Sequence, residues 1–210
     1  DNVLIGSNTY VNTVSADNVV VIGRDAHADS NNIAIGPAAN ADSNDTSIAI
    51  GHTAETFGIR SIALGEQSYT KRHGEFNINI DGESTEDFMR GSIGWSYTTT
   101  STSPTSMEAG GVSTAQLTVN QESMLVFDIL VTGRDNNTEN CAEYQFRGAI
   151  KRGTGNVSFV GTPAKDILAE DDTAFDCDVV ADTTNQTLDI QVSNAATNTT
   201  KWVAQGQITE

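Results

Sequence analysis

Ser47-Ile48-Ala49-Ile50-Gly51 and Ser61-Ile62-Ala63-Leu64-Gly65 are two copies of one unit. The same apolar triplet closed by glycine occurs three more times upstream, as Val3-Leu4-Ile5-Gly6, Val20-Val21-Ile22-Gly23 and Ile33-Ala34-Ile35-Gly36. The closing glycines lie 17, 13, 15 and 14 residues apart. A near-constant short period marks stacked coils rather than an ordinary globular domain, because each unit buries its apolar side against the next.

Each triplet is too short for a helix and rich in branched side chains, and each glycine tolerates the positive φ of a sharp corner. Each therefore reads as a short strand ending in a turn. Three and five residues after each glycine stand the pairs Thr9 and Val11, Ala26 and Ala28, Ala39 and Ala41, Ala54 and Thr56, and Ser68 and Thr70. Between them sit Tyr10, His27, Asn40, Glu55 and Tyr69. Small and large residues alternating at period two predict a second strand with a tight inner face and a bulky or polar outer face. One repeat is one coil of two strands.

The first strand of each coil is apolar on both faces, with Ile33 and Ile35 on one and Ala34 on the other. One face fills the coil and the other needs a cover, which a second copy of the roll supplies most economically. Small alanines would let backbones approach closely around a symmetry axis. The expected roll-core or trimer-contact residues are thus Ala34, Ile35, Ala49, Ile50, Ala63 and Leu64. A monomeric solenoid with an exposed alanine stripe is the competing reading.

The pattern Ser-Ile-Ala-Ile-Gly, two variable residues, Ala, one variable residue, Ala or Thr resembles the head repeat of trimeric autotransporter adhesins, and similar repeats occur in bacteriophage tail fibres. Ser47 to Thr56 and Ser61 to Thr70 carry the resemblance best, with Asn32 to Ala41 close behind. The first two copies depart from it, with Leu4 and Val21 in place of alanine. The resemblance covers about a third of the chain and implies a left-handed parallel β-roll that assembles as a trimer.

Eleven basic residues against twenty-eight acidic ones give a net charge of −17. Nucleic acid is excluded as a partner, because phosphate binding needs a cationic footprint. With 37% hydrophobic and 6% aromatic residues, the chain is poor in material for one large core and suited to thin layers that share apolar surface with neighbours. No apolar run is long enough to cross a bilayer. Cys141 and Cys177 are too few for a disulfide framework, fall in mismatched strand phases, and read as free thiols.

Residues 1–75 are read as the roll, 76–90 as a junction and 91–210 as a second domain. The cluster Lys71-Arg72-His73-Gly74-Glu75 closes the roll and reads as charges paired across the junction, while Phe76, Ile78 and Ile80 supply the alternation of one further strand. From Arg90 longer alternating runs appear. Ile93, Trp95 and Tyr97 share a face, as do Leu125 to Val131, Tyr144 to Ile150, Phe175 to Val179, Leu188 to Val192 and Trp202 to Ile208. Roughly eight strands separated by turn-rich stretches predict an antiparallel β-sandwich. The expected class is all-β: a left-handed parallel β-roll followed by an antiparallel sandwich, in a trimer.

Chemistry is sparse. His27, His52 and His73 form no metal-ligand spacing, and His27 and His52 read as solvated. There is no nucleophile elbow and no phosphate-cradling loop, so no catalytic residue is assigned and the chain is expected not to be an enzyme. No cofactor is expected, apart from a Ca²⁺ option at Glu170-Asp171-Asp172, which lacks the spaced pattern of a dedicated loop. For recognition, the polar loops Arg134 to Asn140 and Asn194 to Thr200 stand out, with Arg134, Asp135, Asn136, Asn137, Thr138 and Asn198 as receptor-binding candidates. A roll leading into a terminal sandwich resembles the distal end of a bacteriophage tail fibre. The expected function is host attachment within the virion, as a homotrimer joined to an upstream fibre or baseplate protein and bound to a bacterial surface glycan or outer-membrane component. The alternatives are the head of a bacterial trimeric adhesin at the cell surface, a depolymerase tailspike, and a structural virion component.

Overall fold

The apolar triplets fold as three-residue strands and the small-residue stretches as two-residue strands. A computed structural model of the chain describes residues 1–12, 17–42, 46–79, 90–113, 115–194 and 198–210, with the backbone only at position 90. The chain divides into two compact units, Asp1–Ser92 and Ile93–Glu210.

In the first unit, β1 (Val3–Ile5), β3 (Val20–Ile22), β5 (Ile33–Ile35), β7 (Ile48–Ile50) and β9 (Ile62–Leu64) stack in parallel register. They alternate along the chain with β2 (Tyr10–Val11), β4 (His27–Ala28), β6 (Asn40–Ala41), β8 (Glu55–Thr56) and β10 (Tyr69–Thr70), which form a second parallel sheet. This is a β-solenoid of about five turns. Strand β11 (Glu75–Ile78) adds a sixth rung below β9, within the stretch that the sequence reads as junction. Ile80, expected in that strand, lies outside the described residues.

Each coil turns at left-handed corners. The closing glycines have φ between 105° and 145°, and the residue two positions on is also left-handed although it is Asn8, Asp25, Ala38, Thr53 or Gln67. At the glycines the reason is contact as well as conformation. A Cβ on Gly51 would lie 2.0 Å from the carbonyl oxygen of Gly65 in the next coil.

The solenoid interior is thin and lined by small side chains. Val21, Ala34, Ala49 and Ala63 of the first sheet and Ala26, Ala28, Ala39, Ala41, Ala54, Thr56, Ser68 and Thr70 of the second are all fully buried. This reverses the phase expected from the sequence, which set the alanines toward a symmetry axis. The alanines are the roll core, whereas Ile35, Ile50 and Leu64 point outward. Two facing alanine layers leave no volume for an isoleucine between them.

Along the axis the interior becomes polar. Asn32 donates from Nδ2 to the Ala41 carbonyl at 2.7 Å and accepts the Ser47 N–H at 2.7 Å. Ser47 and Ser61 both donate to the Gly58 carbonyl, at 2.9 and 2.6 Å. Arg72 and Glu75, 6% and 4% exposed, form an ion pair at 3.6 Å, and the Glu75 carboxylate also accepts the N–H groups of Lys71 and Arg72. Of the basic cluster, Arg72 is therefore held buried in the roll by Glu75, while Lys71 and His73 stay partly exposed.

The second unit is built on long strands. Its larger sheet contains β12 (Arg90–Thr99), β16 (Ser123–Asp135), β17 (Cys141–Arg152) and β22 (Thr200–Thr209), in the order β12-β22-β16-β17. At its margins β14 (Glu108–Ala109) pairs with β12, while β18 (Ser158–Phe159) and β19 (Ala164–Glu170) pair with β17. A smaller sheet joins β13 (Thr105–Ser106), β15 (Leu117–Thr118), β20 (Asp176–Asp182) and β21 (Thr187–Ser193). Period-two alternation drives Trp95, Phe127, Phe146, Ile190 and Trp202 into one apolar core fed by both sheets. Cys177 is buried in this core and Cys141 is exposed, both as free thiols.

Candidate functional site

Two features of the molecule are candidates for function: the outward face of the first solenoid sheet and a pair of loops in the second unit. On the solenoid, register aligns Val3, Val20, Ile33, Ile48, Ile62 and Phe76 into one ladder and Ile5, Ile22, Ile35, Ile50, Leu64 and Ile78 into another. Six rungs at the strand spacing make a face about 24 Å tall. Every member keeps solvent exposure, from partial at Ile33 to 57% at Ile5.

The second sheet presents a different outer surface. Tyr10 stacks flat on His27 with ring centroids 4.8 Å apart, and His27 Nε2 lies 3.5 Å from the Asp42 carboxylate. The His27 side chain is 19% exposed, so the solvated histidine read from the sequence is corrected: a tyrosine on the neighbouring coil covers it. His52 is exposed and pairs with Glu66 at 3.3 Å. His73 accepts the Ile59 N–H at Nδ1, 2.9 Å, and burial lowers its pKa, which keeps that lone pair available.

In the second unit the structure brings the ends of the two polar loops together, with residues 195–197 of the second outside the described residues. Arg134 and Asp135 end β16 opposite Lys201 and Thr200 of β22. Asn136 donates its N–H to the Thr199 carbonyl at 2.9 Å. Asp135 is 3% exposed and caps its own turn, accepting the N–H groups of Asn137 at 2.6 Å and Thr138 at 3.1 Å. Burial would raise the Asp135 carboxyl, but these two N–H groups with the Asn198 and Thr138 side chains outweigh it and hold the pKa below the ordinary value. Arg134, Asn136, Asn137 and Thr138 are exposed, with Arg134 beside Glu139 at 3.5 Å.

The root of the second loop is locked as firmly. Asn194, 2% exposed, donates to the carbonyls of Thr99 at 2.7 Å and Asn198 at 2.8 Å and accepts the Trp202 indole N–H at 3.3 Å. Of the six recognition candidates, Asp135 is thus a scaffold residue and the other five surround it. Asn194 and Trp202 were missed as supports; the signal available was a lone Asn beside a buried Trp strand, which sequence does not distinguish from an ordinary loop end.

The acidic turn is engaged by the protein itself. Glu170 accepts the Tyr144 hydroxyl, Asp171 accepts the Cys141 N–H at 2.8 Å, and Asp172 accepts the Ala174 N–H at 3.0 Å. Among the described residues no group of three or more His, Cys, Asp or Glu side chains is placed to hold a metal.

Residues 43–68 match the YadA head domain repeat in two copies. The chain therefore carries β-roll repeats like those of adhesin heads, as the resemblance at Ser47 to Thr56 and Ser61 to Thr70 implied. No curated protein matches the chain significantly. Among solved structures, the chain aligns over 100% of its length with a tailspike protein of the Acinetobacter baumannii bacteriophage Fri1, described as a capsular polysaccharide depolymerase, at 10% identity and a TM-score of 0.38. The chain spans 44% of the length of that tailspike. Because that neighbour is an enzyme, the expectation that this chain is not one is corrected. A likeness at this level assigns no residue a role.

Proposed function

We propose that the chain belongs to a trimeric attachment fibre of a bacteriophage tail, with the roll as shaft and residues 91–210 as the tip that meets a receptor on a bacterial surface. The observation that carries the reading is the double apolar ladder. Twelve partly exposed apolar side chains offer roughly 600–800 Å² per copy, above the patch of a typical monomer and close to one partner's share of a standard interface. Nothing polar interrupts the ladder, so a second and third copy of the same face is the chemistry that fits it. The number three comes from the resemblance of the repeats to trimeric adhesin heads.

The tip is read as an antiparallel sandwich whose two sheets hold the paired loops rigid. Arg134, Asn136, Asn137, Thr138 and Asn198 would meet a glycan or outer-membrane component, and three copies of weak contacts would add through avidity. The roll would continue from an upstream fibre or baseplate protein within the virion. The YadA head repeat at residues 43–68 favours a second reading, the head of a bacterial trimeric adhesin on a cell surface.

The test is retention of the labelled protein by bacterial cells and by immobilised host matrix proteins, with capsular polysaccharide as competitor and new reducing ends as a parallel readout. Retention by bacteria blocked by polysaccharide supports the tail-fibre reading. Retention on matrix proteins and not on bacteria favours the adhesin head. Binding to neither refutes attachment.

A further inference from the structure

We propose that a groove in the second unit between β12, β14 and β22 is a saccharide subsite, taking one uncharged pyranose unit through a pair of adjacent hydroxyls. The proposal rests on the attachment reading and gives it a place and a ligand class. Ser96 and Thr98 of β12, Glu108 of β14, Gly111 of the following turn, and Lys201 and Val203 of β22 line an open groove of about 420 Å³. That volume is at the low end of ligand sites and suits a mono- or disaccharide.

The chemistry converges on one ligand type. Glu108 and Ser96 are register partners on neighbouring strands, so their side chains stand on the same face. Glu108 and Lys201 line the same groove yet form no ion pair with each other, and among the described residues the side chains of Ser96, Thr98, Glu108 and Lys201 have no hydrogen-bond partner. By contrast, Asp135 is engaged by the N–H groups of its own loop and Asn194 by Thr99, Asn198 and Trp202. The groove thus offers a carboxylate that accepts two neighbouring O–H groups, an ammonium that donates, and two hydroxyls that do either. Val203, 56% exposed, offers an apolar patch for the C–H side of a sugar ring.

A net charge of −17 disfavours an anionic ligand, and the charged lining disfavours an apolar one. The floor is rigid. The buried Trp202 is tied to Asn194, which in turn holds the Thr99 carbonyl next to Thr98. A groove held in this way pays little ordering entropy when it binds. Lys201 is also the register partner of Arg134, so the groove adjoins the paired loops and extends the candidate surface.

The experiment is saturation-transfer difference NMR on the full chain with the methyl α-glycosides of glucose, galactose, mannose and N-acetylglucosamine, repeated on Glu108→Gln and Lys201→Met and followed by cell retention of all three proteins. Circular dichroism confirms that the variants fold, since both side chains lie at the surface. The expected result is transfer to the ring protons of at least one glycoside, with each variant binding about ten-fold or more weakly through the loss of one charge-assisted hydrogen bond. No transfer to any glycoside, unchanged binding in both variants, or displacement of the glycoside by free glycine would overturn the subsite. Cell retention equal in all three proteins would overturn the groove as a receptor site and leave attachment standing. Glycoside binding that is lost in the variants, with no cell retention even of the parent chain, would support the subsite and refute attachment.

Discussion

Replacing Gly51 with alanine should break the solenoid at its middle. Gly51 has φ +145°, and a Cβ there would sit 2.0 Å from the Gly65 carbonyl oxygen and 2.5 Å from its carbon. Neither atom belongs to a flexible side chain, so one coil must move about 1 Å away from the next to restore an ordinary contact. That shift disturbs two rungs, the Gly51 N–H to Ile35 carbonyl bond and the Gly65 N–H to Ile50 carbonyl bond, both 2.8 Å. Each is worth roughly 1 kcal/mol, and holding an L-residue in this part of φ space adds about 1–3 kcal/mol. The sum is about 3–5 kcal/mol, which for a chain of this size lowers Tm by roughly 6–20 °C. Because coils couple only to neighbours, the loss divides the roll into two short pieces. The assay is thermal melting followed by far-UV circular dichroism. Gly153→Ala serves as control, since a Cβ there meets nothing within 4 Å and should leave Tm within about 2 °C. A Gly51→Ala protein that melts with this control would refute the close-contact account of the corners.

The interior and the ladder should respond differently to substitution. Ala49→Leu overfills a coil whose facing layer is also alanine and should lower the roll's Tm by roughly 2–12 °C, whereas Ile50→Ala should keep the roll's circular dichroism and make the assembly dissociate on dilution. The Asp189 carboxyl is raised by burial and by the charge of Asp182, against hydrogen bonds from Thr187 and Ser106. Its stabilising contribution is therefore present at low pH and lost as pH rises through its folded value, so melting curves should show Asp189→Asn gaining on the parent chain between pH 4 and pH 7. Burial also pushes the Cys177 thiol up, so a thiol reagent should titrate Cys141 in the folded protein and both cysteines only in denaturant.

The corners and the small inner face of the second sheet were legible because glycine and alanine have few other reasons to recur at this period. The facing of the first sheet was misread: with isoleucine on one side of the strand and alanine on the other, hydropathy gives no direction. Volume decides it, and the clue was already present in Ala26, Ala28, Ala39 and Ala41, which leave a gap that Ala34 fits and Ile35 does not. The left-handed corners at Ala38, Thr53 and Gln67 carry no glycine signal, because their strain is compensated by the ladder bonds around them. Burial of Arg72 against Glu75 was likewise hidden, since a charged run looks solvated until the coil closes over it. The loops at Arg134 to Asn140 and Asn194 to Thr200 could be nominated by polarity, but their meeting depends on the pairing of β16 with β22. The groove brings Lys201 beside Ser96 and Glu108, about a hundred residues earlier in the chain, and no local pattern announces it.

The central claim is that the outward ladders from Val3 to Phe76 and from Ile5 to Ile78 are covered by further copies of the same chain. The direct measurement is the solution mass, by light scattering after size exclusion, of the parent chain and of an Ile35→Asp, Ile50→Asp double variant. The account predicts about 67 kDa for the parent, three times 22.3 kDa, and about a third of that for the variant. A parent chain that elutes as a 22.3 kDa monomer at micromolar concentration would contradict it.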